Sequence, residues 1–139
     1  MKQTGLSKRS LALTMVGVFF ILQGVTVGAN PLFPPDHAIL HETIPVGVRA
    51  VLWITTGTIT AVWAWMHAWQ WVAVVAAVVM PIERTVSYVW SFAHWLIPGP
   101  PGGSAWSIVD AAQWAALVAL IVVIGGWIEW DRAGGEEHS

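Results

Sequence analysis

The 139-residue sequence contains no cysteine. That excludes disulfides, zinc–thiolate centres, iron–sulfur clusters and thiol catalysis. Charge is nearly as scarce. Asp, Glu, Lys and Arg together make up 10% of the chain, against about 25% in ordinary soluble domains. So few charges cannot cover the exterior of a soluble domain of this size. A nucleic-acid binder needs a basic surface, and here six basic residues face eight acidic ones for a net charge of −2. A disordered chain needs low hydrophobicity, whereas 56% of this one is apolar. The composition that remains is that of an integral membrane protein.

What charge there is marks the boundaries of the apolar runs. Residues 10–35, 50–82, 85–109 and 111–128 carry no Asp, Glu, Lys or Arg. A membrane-spanning helix needs roughly 20 apolar residues. The second run is too long for one crossing and reads as a hairpin turning near Met66, His67 and Ala68. The pattern predicts an all-α, four-helix membrane bundle forming a single domain, with helices at about 10–29, 46–66, 69–96 and 106–130. Seven of the eight prolines agree. Pro31, Pro34, Pro35 and Pro45 separate the first two helices, and Pro98, Pro100 and Pro101 the last two. Pro81 alone falls inside a helix, where it should produce a kink.

Eight of the eleven tryptophans cluster at the same boundaries, as expected for rings that favour the membrane–water interface. Trp63, Trp65, Trp69 and Trp71 surround the hairpin turn, Trp95 and Trp106 flank the Pro-Gly loop, and Trp127 and Trp130 close the last helix. Trp53 lies about one turn inside the second helix, and Trp90 and Trp114 are deep enough to pack between helices. Lys2, Lys8 and Arg9 precede the first helix and Arg132 follows the last. By the positive-inside rule both termini, including the 131–139 tail, are cytoplasmic and the 30–45 loop is external. An alternative exists: Lys8 and Arg9, an apolar run and then Val27-Gly28-Ala29 also have the form of a secretory signal, which would leave three spans.

Candidate functional residues gather in the third helix. Glu83 and Arg84 lie fourteen and fifteen residues beyond Trp69, or about 21 Å of helical rise. They therefore fall within the hydrocarbon core, where each charge costs about 2.5–3.5 kcal/mol on insertion scales. Such residues face the bundle interior and need partners. Depth matching offers Thr58 and Thr60 on the second helix, Asp110 and Gln113 on the fourth, and Ser87 one turn along from Glu83. Arg84 can snorkel toward Asp110. This intramembrane polar band admits three roles: a network that fixes helix register, a wet pathway completed by oligomerisation, or a proton relay.

Small residues suggest where helices meet. Gly17, Gly24 and Gly28 share one side of the first helix, with Gly24 and Gly28 in GxxxG spacing. Ala112, Ala115, Ala116 and Ala119 give the fourth a smooth face. Either face suits packing within the monomer or an oligomer. His37 and His41 are four apart beside Asp36 and Glu42, but no third clear ligand accompanies them, so no metal site is expected. His67 and His94 are about a membrane apart, which rules out one shared haem. With neither a phosphate-binding loop nor a nucleophile elbow, no cofactor and no catalytic residue are expected.

The segment Met80-Pro81-Ile82-Glu83-Arg84-Thr85-Val86-Ser87-Tyr88-Val89-Trp90, followed by Trp95-Leu96-Ile97-Pro98-Gly99 and its Pro-Gly turn, resembles the small four-span membrane proteins of actinobacterial phages. The resemblance covers about Arg49 to Trp130. Most such proteins have no assigned function, and some are treated as holins. It implies a protein that self-associates and permeabilises the cytoplasmic membrane, with the lipid bilayer and further copies of itself as partners. It brings no residue-level assignment. The tail departs from a holin's dense basic cluster, since Glu136 and Glu137 offset Arg132. A non-enzymatic accessory or scaffold subunit of a larger membrane complex, and a small transporter or channel, are the other functions compatible with these features.

Overall fold

The apolar runs fold as four helices, α1 (Lys8–Ala29), α2 (Val46–Trp63), α3 (Gln70–Leu96) and α4 (Ser107–Glu136). The structure is a computed structural model and describes residues 8–30, 44–97 and 103–136, with side chains up to Gly126. Lys2, Asp36, His37, His41, Glu42, Pro98–Gly102 and the side chains of the tail lie outside the described residues. All four helices are long and apolar enough to cross a membrane.

The sequence explains where each helix begins and ends. Pro45 immediately precedes α2, at a site where a missing N–H costs nothing. A 3-10 turn at His67–Trp69 links α2 to α3. So short a connection makes the two helices antiparallel neighbours. α3 continues through Pro81 as one helix. The Thr85 hydroxyl donates to the Pro81 carbonyl at 2.8 Å. No proline interrupts α4, which runs past Trp130 to Glu136.

The helices pack as two antiparallel hairpins. α1 lies along α2, α3 lies along α4, and α2 against α3 joins the pairs. Burial follows a 3-4 spacing. The inward residues are Ser10, Leu13, Gly17, Phe20 and Gly24 on α1, and Ala50, Trp53, Gly57 and Thr60 on α2. On α3 the spacing continues through Ala73, Ala77, Met80, Arg84, Ser87 and Ser91. This is the seven-residue repeat of knobs-into-holes packing.

α1 and α2 approach closely because glycine faces glycine. A Cβ on Gly17 would stand 2.6 Å from the Gly57 carbonyl oxygen, and one on Gly57 would stand 2.6 Å from the Gly17 oxygen. Gly24 meets the Ala50 carbonyl and Ile54 in the same way, while Gly28 is exposed, and a Cβ there would stand 3.3 Å from the Ala50 Cβ. Gly17 and Gly24 are thus occupied within the chain. Ala112, Ala115, Ala116 and Ala119 are exposed, and it is Ala111 that turns inward.

A central apolar cluster of Phe20, Trp53, Ala77, Met80 and Ile121 draws on all four helices. Trp53 is 1% exposed and sits edge-on to Phe20 at 5.2 Å, so it is a core residue rather than an interfacial one. Trp114 packs beside it at 5.7 Å. Trp90, expected between helices, is 52% exposed. The inward stripe of α3 passes through Ser87, Tyr88 and Ser91, which leaves Trp90 on the opposite face with Val86 and Val89. Large apolar side chains such as Met15, Leu22, Val51, Val79 and Val122 cover the outside.

Candidate functional site

The C-terminal half of α3 carries a polar seam just beyond the apolar cluster. Arg84 occupies the inward position that follows Met80 and is 7% exposed. Its guanidinium carbon lies 5.5 Å from the centre of the Trp53 ring. Glu83 precedes it in sequence, and adjacent helical residues point in different directions. Accordingly the Glu83 side chain is 30% exposed, and its Oε2 stands 3.9 Å from Arg84 Nε. The pair is a loose one, with Arg84 turned inward and Glu83 at the boundary. Ser87, one turn on, donates its hydroxyl to Glu83 Oε1 at 3.0 Å. Tyr88 is buried beside this group.

The seam continues toward the α3–α4 loop. Ser91 and Ser107 are both buried, and their hydroxyl oxygens lie 3.0 Å apart. Gly103 makes this approach possible. Its φ is 92°, and a Cβ there would run into the Ser91 carbonyl oxygen. Only glycine satisfies both conditions. His94 turns outward, with its Nδ1 3.2 Å from the Trp90 carbonyl oxygen and its ring 5.0 Å from the Trp90 ring.

Of the predicted band, Glu83, Arg84 and Ser87 come together. Thr60 is buried, with its hydroxyl donating to the Thr56 carbonyl at 2.8 Å. Thr58 is exposed and donates to Ile54 in its own helix, so it is not directed at the seam. Asp110 is half-buried in the first turn of α4, and Gln113 is exposed one turn further on. Rotation about the helix decides these cases. Thr58 and Thr60 match Glu83 in depth equally well, yet two residues along a helix lie about 200° apart.

Sequence reasoning missed two buried polar contacts. One is the Ser91–Ser107 pair. The other is at the opposite end of the bundle, where Gln70 is buried and donates to the Ala64 carbonyl at 3.1 Å and to Ser10 Oγ at 3.3 Å. Gln70 ties α1 to the α2–α3 turn. The available signal was the seven-residue spacing of Gln70, Arg84 and Ser91 with the small residue Ala77. Apolar residues in a membrane helix mark no side, but small and polar ones do.

The arrangement is therefore a shut seam, polar at both ends and closed in the middle by aromatic and aliphatic side chains. Among the described residues no group of three His, Asp or Glu side chains is placed to hold a metal ion. No family model, no curated protein and no solved structure matches the chain. The architecture, four apolar helices each able to cross a membrane, is that of a multi-pass helical membrane protein.

Proposed function

We propose that this chain is a holin-like membrane protein that self-associates and permeabilises the cytoplasmic membrane, with both termini inside. The observation that carries this reading is the charged pair of buried Arg84 and half-buried Glu83 within an otherwise apolar stretch of helix. Charges at this depth are costly to insert and usually serve a pathway or a switch. In one copy the seam is closed by Phe20, Trp53, Met80 and Ile121. When copies assemble and the hairpins separate, Arg84, Glu83, Ser87 and Ser91 become a polar wall that water and ions can wet. The two-hairpin build supports such a separation, because α1 and α4 touch little.

Expression in a bacterium tests the proposal. The membrane potential should collapse, and a co-expressed endolysin should reach the cell wall. High expression that leaves potential and viability intact would overturn it. The second reading is a non-enzymatic accessory subunit of a larger membrane complex. It is favoured by the openness of α4, which turns few of its residues between Ser107 and Gly126 into the bundle. It predicts a stoichiometric partner after mild detergent extraction and no toxicity from the chain alone.

A further inference from the structure

Gln113 stands on the exposed side of α4, seven residues beyond Trp106, or about 10 Å of rise. With Trp106 at the interface, that depth is inside the hydrocarbon, where an amide without a partner is costly. Gln113 has no hydrogen bond among the described residues. The contrast with neighbouring polar groups is sharp. Gln70 is buried and bonded to Ala64 and Ser10, and Thr58 closes on its own helix.

The surroundings of Gln113 permit a second helix to approach. Ala116, one turn on, shares its side of the helix, and Ala112 borders it, both exposed. The outward faces of α1, α2 and α3 carry bulky side chains, including Phe19, Leu22, Val51, Ile82 and Val86, and α4 carries Val109 and Leu120 above and below Gln113, so the close approach is confined to the Gln113–Ala116 turn. The glycines that could serve the same purpose, Gly17 and Gly24, are already used against α2.

We infer that the chain self-associates through this face of α4, with Gln113 of one copy hydrogen-bonded to Gln113 of a second. A primary amide both donates and accepts, so it is its own complement. Copies inserted in one orientation carry Gln113 at the same depth, and a two-fold axis along the membrane normal brings the two amides together. A different protein would have to supply a matching polar group at that depth. The inference rests on the membrane reading given above and names the surface through which self-association occurs.

The absence of cysteine makes the test clean. Gln113→Cys and Ala116→Cys are introduced singly into the full chain, alongside Val51→Cys and Val86→Cys on the exposed faces of α2 and α3, and membranes are treated with a mild oxidant. Covalent dimer at positions 113 and 116 should exceed that at the controls at least about fivefold, because a disulfide forms only when the two Cα atoms come within about 7 Å. Equal yields at all four positions, or none on α4, overturn the interface. In vesicles of phosphatidylglycerol and phosphatidylethanolamine, Gln113→Leu should weaken association about three- to twentyfold, the range for one intramembrane hydrogen bond. Unchanged association, or a stoichiometric foreign partner seated at position 113, overturns it too. Dye leakage from the same vesicles separates the two proposals. Cross-linking through α4 without leakage retires the permeabilising function and keeps the interface. Leakage with α4 uncross-linked retires the interface and keeps the function.

Discussion

The guanidinium of Arg84 lies over the ring of Trp53, its central carbon 5.5 Å from the ring centre. The two residues come from different helices, and both are almost wholly buried. A desolvated cation over an aromatic face is worth about 2 kcal/mol, and removal of a buried Trp adds the loss of its packing. Trp53→Leu should therefore destabilise the bundle by about 3 kcal/mol and Trp53→Phe by less. Trp114→Leu, at the half-buried neighbour that does not meet Arg84 in this way, should cost about 1 kcal/mol. Denaturation in detergent followed by circular dichroism checks the order. A Trp53→Leu loss no larger than that of Trp114→Leu would remove the cation–aromatic contact from the account.

Glu83 and Arg84 should respond unequally to neutralisation. Arg84→Gln removes a buried cation with both its ion pair and its aromatic contact, and should cost about 2 kcal/mol or more. Glu83→Gln acts on a side chain that is 30% exposed and separated by 3.9 Å, so its cost should be about 0.5–1 kcal/mol. A double-mutant cycle reads the coupling directly. If the seam lines a pathway, both variants insert normally and lose leakage. If it only fixes helix register, the two variants fold poorly in proportion to these costs.

Gly17 and Gly57 touch backbone to backbone across α1 and α2. Gly17→Val and Gly57→Val should each separate the helices and cost about 1–3 kcal/mol or more. Gly47 and Gly126 have nothing within 4 Å of a Cβ position. Gly47→Val and Gly126→Val should be tolerated, and these two serve as the controls in the same unfolding experiment.

Gln70→Leu should loosen the end of the bundle that holds the α2–α3 turn. It removes two described hydrogen bonds and strands the Ala64 carbonyl, a loss of about 1–3 kcal/mol. Ser10→Ala removes one long bond and should cost about 0.5–1 kcal/mol. Amide hydrogen exchange should rise at Ala64–Gln70 in Gln70→Leu and leave the Ser91–Ser107 end unchanged. A uniform rise across the bundle would mean that Gln70 acts on global stability and not as a local tie.

The division into helices was readable because its signals are chemical and local. Proline and charge interrupt apolar runs, and the 64–69 turn falls where Trp gathers. The Glu83–Arg84 pair was readable too, since a charge in an apolar run stands out whatever the fold. Its surroundings were not. Trp53, placed by counting about one turn inside its helix, lies at the centre of the core, and Trp90, expected to pack between helices, is exposed. Thr58 and Thr60 seemed equivalent and face opposite ways. Residue depth follows from counting along a helix at about 1.5 Å per residue. Facing does not, unless the two sides of the helix differ in polarity.

That difference is what this chain lacks. Its scarcity of charge, its prolines and its tryptophans by themselves determined four helices of spanning length and the place of one charged pair. Only the tertiary structure decided which sides turn inward. In water the inward face of a helix announces itself by being apolar. Where the exterior is as apolar as the core, packing is decided by van der Waals fit and hydrogen bonds. Gly17 and Gly24 are inside because they meet Gly57 and Ala50, and Ala112 and Ala119 are outside because α4 turns Ser107, Ala111 and Ile121 inward instead. The same logic separates Gln70, bonded within the bundle, from Gln113, whose amide faces outward.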